Sequence, residues 1–152
     1  MSLNTTAILN AIVSHAMSLG QFERFTRYEP KSPPGSGISV AFWVQAIGPL
    51  PLASGLAETS CRLEITCRFY KPMLTEPQDE IDPAVMAAVD ALFTALSGDF
   101  TLGGQVRNID LLGAHGVGLS AQAGYQTINQ TAYRVMTIVI PLVVNSAWVQ
   151  EA

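Results

Sequence analysis

The sequence predicts one α+β domain, a mainly antiparallel β-sheet with about two α-helices packed on one face. Three observations carry that prediction. In residues 61–70, Cys61, Leu63, Ile65, Cys67 and Phe69 share one parity, and Arg62, Glu64, Thr66, Arg68 and Tyr70 share the other. Side chains alternate across a strand, so this is a strand with an apolar face in a core and a polar face opposite. Apolar residues recur at helical spacing at Ile8, Leu9, Ile12, Val13 and Ala16, and again at Val85, Val89, Leu92, Phe93 and Leu96. Two strand-like runs, residues 119–128 and 133–144, flank Asn129-Gln130 and read as a hairpin.

The totals narrow the class. A chain of 152 residues suits one domain with one core, here residues 1–152 with 145–152 as a C-terminal tail. Charged residues make up 13%, against roughly 25% in soluble domains. Interface cores are depleted in charge, so this deficit favours a surface covered by other subunits over one rich in Ser, Thr, Gln and Gly, which the chain also supplies. Net charge is −4 and Lys and Arg form no run, which argues against a protein that grips phosphate. The longest apolar run, 135–144, contains Thr137 and Pro141 and is too short to span a bilayer. No basic segment leads into a long apolar one near residue 1, so no secretory signal is expected. Cys61 and Cys67, six residues apart on one strand face, sit about 20 Å apart. They read as small core side chains in a reducing compartment rather than a disulfide, and the sequon at Asn129 as part of a turn.

In chain order, Asn4 or Thr5 caps the first helix and Gly20 suits its C′ position, leaving His15 partly exposed near the helix end. Residues 22–28 form a short strand, followed by a stiff loop, 31–37, that begins at Lys31 and holds two prolines and two glycines. Residues 38–47 form a strand with both faces partly buried, since Phe42 and Val44 oppose Trp43 and Ile47. Residues 48–58 are long and apolar for a connection, and Leu50, Leu52 and Leu56 favour an arm for a neighbouring subunit over a loop folded on its own domain. Glu76, Asp79, Glu80 and Asp82 read as a helix entry rather than a metal site, with Asp82 as N-cap and Pro83 at N1. The second helix runs over 83–97 and ends at Gly98; a strand is expected over 105–112, then a loop spaced by Gly113, Gly116 and Gly118 around His115. The last strand is apolar on both parities, hence central or buried by another chain, and Pro141 marks an edge or bulge where it leaves the sheet. Trp148 is exposed unless it docks.

The search for chemistry yields little. Asp110, His115 and Ser120 are the only triad vocabulary, and the serine lacks the Gly-x-Ser-x-Gly elbow. No zinc spacing, phosphate loop or dinucleotide fingerprint occurs, so no metal, cofactor or catalytic residue is expected. A small hydrolase is the least supported of the functions considered.

Six stretches, in order along most of the chain, resemble the tail terminator proteins (also labelled neck or minor tail proteins) of long-tailed actinobacteriophages. They are YEPKSPPGSGISVAFWVQ (28–45), ASGLAETSCRLEITCRFYKPM (53–73), EPQDEIDP (76–83), SGDFTLGGQVRNIDLLGAHG (97–116), LSAQAGY (119–125) and YRVMTIVIPLVVN (133–145). The resemblance implies a non-enzymatic structural protein of the virion, with a mixed sheet and helices on one side. It implies a hexameric ring at the head-proximal end of the tail tube, assembled in the host bacterial cytoplasm. Such a ring ends tube polymerisation and offers a surface for head–tail joining. The implied partners are further copies of the chain, the tail tube protein and the head–tail connector; DNA passes through the lumen without specific binding. Another neck or head-completion protein is the nearest alternative. On this reading Arg62, Glu64 and Arg68 lie at the lumen or a subunit junction. Leu50, Leu52 and Leu56 form the arm, and the loops holding Lys31 and His115 make contacts along the tube axis.

Overall fold

A computed structural model of the chain describes residues 3–31, 37–51, 58–74 and 77–150. The elements follow in the order α1 (Thr5–Ser18), β1 (Arg24–Thr26), β2 (Ser39–Pro49), β3 (Glu58–Pro72), α2 (Ile81–Gly98), β4 (Asn108–Ile109), β5 (Ser120–Ile128) and β6 (Thr131–Val149). The fold is the expected α+β domain. Its sheet runs β1-β2-β3-β6, and β4 and β5 share the outer edge of β6 at different heights. All pairs are antiparallel except β1 with β2, which makes the sheet mixed.

Residues 61–70 behave as their alternation predicts: Cys61, Leu63, Ile65, Cys67 and Phe69 are all fully buried. They meet Val144, Leu142, Ile140, Ile138 and Met136 of β6 across the ladder. Both helices lie over this face, with Ile8, Ile12, Val13 and Ala16 of α1 and Val85, Ala88, Val89, Leu92 and Leu96 of α2 in one core. The Asn4 side chain accepts from Ala7 N–H at 3.1 Å, as an N-cap does, and Gly20 takes a φ of 67° past the end of α1.

α2 begins earlier than the sequence suggests. Its N-cap is Glu80, without a side-chain cap, because a short 3-10 turn over Gln78–Glu80 feeds straight into it. Asp82 therefore lies inside the first turn and accepts from Arg134 Nε at 2.9 Å instead of capping. Residues 78–98 are also long and apolar enough to cross a membrane, at a mean hydropathy of 1.3, but their buried stripe is spent on the sheet.

The hairpin forms with Asn129 and Gln130 at φ 47° and 70°, the two positive values that a type I′ turn requires. β6 is central, as expected. Pro141 does not mark where it leaves the sheet. It marks where the outer neighbour changes, since β5 pairs up to Val139 and β4 takes over at Leu142. The Pro141 carbonyl accepts from Asp110 N–H on that side, so its missing donor falls in the gap between the two short strands.

Three further expectations change. β6 runs on to Val149, taking up residues expected in the tail, and Trp148 pairs with Thr59 while staying 38% exposed. The strand expected over 105–112 shrinks to Asn108–Ile109, because turns occupy both sides of it. β2 is buried only in its first half. From the bulge between Val44 and Ala46 onward no element among the described residues covers it, and Val44 and Ile47, on either side of the bulge, are 44% and 51% exposed.

Candidate functional site

The helices leave the second face of the sheet uncovered, and register places the polar side of β3 at its centre. Across the sheet, Arg68 stands between Ala41 and Thr137, Thr66 between Trp43 and Val139, Glu64 between Ala46 and Pro141, and Arg62 between Gly48 and Val143. Arg62, Glu64 and Arg68, read from the sequence as one polar face, do share it, but only Arg62 and Glu64 meet, with His115 lining the same groove, while Arg68 belongs to a separate network.

Arg68 donates through Nε to Thr137 Oγ1 at 2.9 Å and through Nη1 to Gln126 Oε1 at 3.2 Å, and it reaches Glu29 at 3.5 Å. Its guanidinium stacks over Trp43, 5.2 Å from the ring centroid. The bulge at Gln45 serves the same face: its side-chain carbonyl accepts from Trp43 Nε1 at 3.3 Å and Thr66 Oγ1 at 3.2 Å. Tyr70 departs from the expected polar face. It is buried, packed edge-on against Tyr133 with centroids 6.1 Å apart.

Arg62 is a clamp. Its Nη1 donates to Asp110 Oδ2 at 2.8 Å, its Nη2 to the Val117 carbonyl at 2.5 Å, and its Nε to Glu64 at 3.4 Å. Asp110, 3% exposed, also accepts the backbone N–H of Ala114 at 2.7 Å and of His115 at 2.9 Å. One carboxylate and one guanidinium therefore pin the glycine-spaced loop after β4 onto the sheet. Gly113 turns that loop at φ 79°, and a Cβ there would stand 2.5 Å from the Gly116 carbonyl. Gly113→Ala is expected to cost about 2–6 kcal/mol, since strain and a backbone clash each cost roughly 1–3. Urea unfolding of that variant checks this.

The clamp also answers the triad question. Asp110 meets His115 through the backbone amide and not the ring, and the Ser120 hydroxyl donates to the Gly118 carbonyl at 3.1 Å. No proton relay joins the three. Burial pushes the Cys61 and Cys67 thiols up, which keeps them protonated.

Beside the clamp, a shallow groove of about 360 Å³ is lined by Ala46, Ile47, Gly48, Pro49, Leu50, Pro51, Arg62, Glu64 and His115. Leu50 is 5% exposed and its N–H donates to the Ser60 carbonyl at 2.8 Å, so it packs on its own domain rather than projecting as an arm. Leu52 and Leu56 lie outside the described residues, as does most of the loop after Lys31, which is itself exposed. Among the described residues no cluster of three His, Cys, Asp or Glu side chains is arranged to hold a metal ion. Of the four carboxylates at the entry to α2, Glu76 is outside the described residues and Asp82 is paired with Arg134.

No protein-family model matches the chain, and no curated protein matches it. Among solved structures it is similar to the PVC sheath/tube terminator of an extracellular contractile injection system, determined by cryo-EM in the extended state. That similarity has 10% identity and a TM-score of 0.47, over 100% of this chain. The chain spans 60% of the length of that structure.

His15 is partly exposed in the last turn of α1, as the sequence suggests, but its partner was missed. Its Nε2 lies 2.8 Å from Asp99 Oδ2, tying the end of α1 to the turn after α2. Nothing local signals a contact across 84 residues.

Proposed function

We propose that the chain is a structural subunit of a virion tail, a tail terminator that closes into a ring at the head-proximal end of the tube. It ends tube polymerisation there and presents a surface to the head–tail connector. The observation that carries this reading is the outer edge of β2. β1 covers only Ser39, Val40 and Ala41, so from Phe42 to Pro49 that edge has no partner strand among the described residues. Val44 and Ile47 are exposed along it.

An apolar strand edge left open invites another chain. The bulge at Val44/Ala46 and the proline at the strand end restrict which chain can pair. Such an edge suits a specific neighbour, and a contact between unlike patches of identical copies closes into a ring when the rotation permits. The low charge of the chain and its net −4 fit subunit interfaces and a lumen that does not hold DNA. On this reading Glu64, joined among the described residues only to Arg62 at 3.4 Å, is the polar-face residue freest to meet a neighbour.

Native mass spectrometry of the purified chain, alone and with isolated tail tube ends, tests the reading. Six copies are expected, either free or on the tube ends. A chain that stays monomeric in both settings overturns it.

A further inference from the structure

At the far end of the uncovered face from the Arg62 clamp, Arg24, Ser39 and Tyr70 stand in one cross-strand row. Ser39 is 3% exposed and Tyr70 1%, and neither Ser39 Oγ nor Tyr70 Oη completes a hydrogen bond. Buried hydroxyls are rarely left so, because the desolvation cost then goes uncompensated. Both belong to one small pocket of about 60 Å³, which Arg24, Thr26, Tyr28 and Pro30 also line. That is room for a few atoms of a ligand or a few waters.

The charge around the pocket selects among occupants. Arg24 enters none of the ion pairs among the described residues. Burial raises the Tyr70 phenol above its ordinary value and outweighs Arg68, which approaches the phenol oxygen as a donor and as a charge, so at neutral pH the phenol keeps its proton and has it to donate. Among the described residues no carboxylate lines the pocket, and Glu29, between Tyr28 and Pro30, is paired with Arg68 at 3.5 Å. Two hydroxyl donors and one guanidinium, with Pro30 as an apolar wall, suit a small planar anion with two acceptor oxygens. Water also satisfies the hydroxyls; the exposed guanidinium of Arg24 at the rim is what favours an anion.

We propose that this pocket is a socket for a carboxylate presented by a partner protein, either an Asp or Glu side chain or a chain terminus. Ser39 and Tyr70 donate to its oxygens and Arg24 pairs with its charge. The socket does not depend on ring formation, because a single copy contains every donor.

The test is an NMR titration of the full chain at fixed ionic strength. N-acetyl-glutamic acid α-methylamide presents a side-chain carboxylate, and N-acetyl-alanine a terminal one. N-acetyl-alanine amide and inorganic phosphate are the controls. Saturable shifts confined to Arg24, Thr26, Ser39 and Tyr70 are expected from at least one carboxylate, and the tighter of the two names the source. Arg24→Gln is expected to weaken binding roughly ten-fold, the loss of one charge-assisted contact. Ser39→Ala is expected to weaken it several-fold; both variants should keep the wild-type spectrum elsewhere. The proposal is overturned if neither carboxylate saturates, if the amide or phosphate binds as well, or if Arg24→Gln binds with unchanged affinity.

Discussion

Asp110→Ala is expected to destabilise the domain by about 3 kcal/mol, the cost of removing one partner from a buried ion pair. The variant leaves Arg62 facing an apolar side chain and strands the amides of Ala114 and His115, which the carboxylate now accepts. For a chain of this length the melting temperature should fall by roughly 6–12 °C. Loss of the loop's amide protection from hydrogen exchange should accompany it.

The same residue sets an acid dependence. Burial pushes the Asp110 carboxyl up, but the His115 and Ala114 amides and the Arg62 guanidinium together outweigh it and hold the pKa below its ordinary value. A carboxyl whose folded pKa lies below its unfolded one stabilises the fold fully above the unfolded value, about 3.9. That contribution is lost as the pH falls through the folded value. Asp99 acts in the same direction, held down chiefly by His15 and also by Gly103 N–H. The stability gap between wild type and Asp110→Asn, from urea unfolding, should therefore be largest near neutral pH and shrink below about pH 4. A gap that stays constant from pH 7 to pH 3 would show that the charge of Asp110 does not stabilise the fold.

Ile47→Lys is expected to abolish assembly while sparing the fold. Ile47 is 51% exposed beyond the β2 bulge, so the fold should change by no more than about 0.5 kcal/mol. A lysine on an open strand edge is a device by which proteins refuse strand pairing. If the β2 edge is where copies meet, the assembled fraction on tube ends should drop at least about ten-fold, with an unchanged circular dichroism spectrum. Undiminished assembly would place the subunit contact on another surface.

How much of this was legible beforehand follows from the range of each interaction. The strand at 61–70, both helices and the I′ hairpin at Asn129-Gln130 rest on periods of two or 3.6 residues and on turn chemistry, which neighbours in the chain determine. The centrality of β6 was legible because a strand apolar on both parities needs cover on both faces.

The candidate site was legible only as a set of side chains sharing one face. Alternation put Arg62, Glu64 and Arg68 together, yet it could not say that Arg62 would be spent on Asp110, 48 residues away. Nor could it assign Tyr70 to a buried aromatic pair with Tyr133, or Leu50 to its own domain. Parity says which face a residue occupies, but burial depends on what else arrives at that face. By itself, then, the sequence determined the elements, the core face of β3 and the turn of the hairpin, because their causes lie within a few residues. The tertiary structure alone decided the loop clamp, the edge of β2 that has no partner strand among the described residues and the pocket at Ser39 and Tyr70, because each depends on segments that only folding brings into contact.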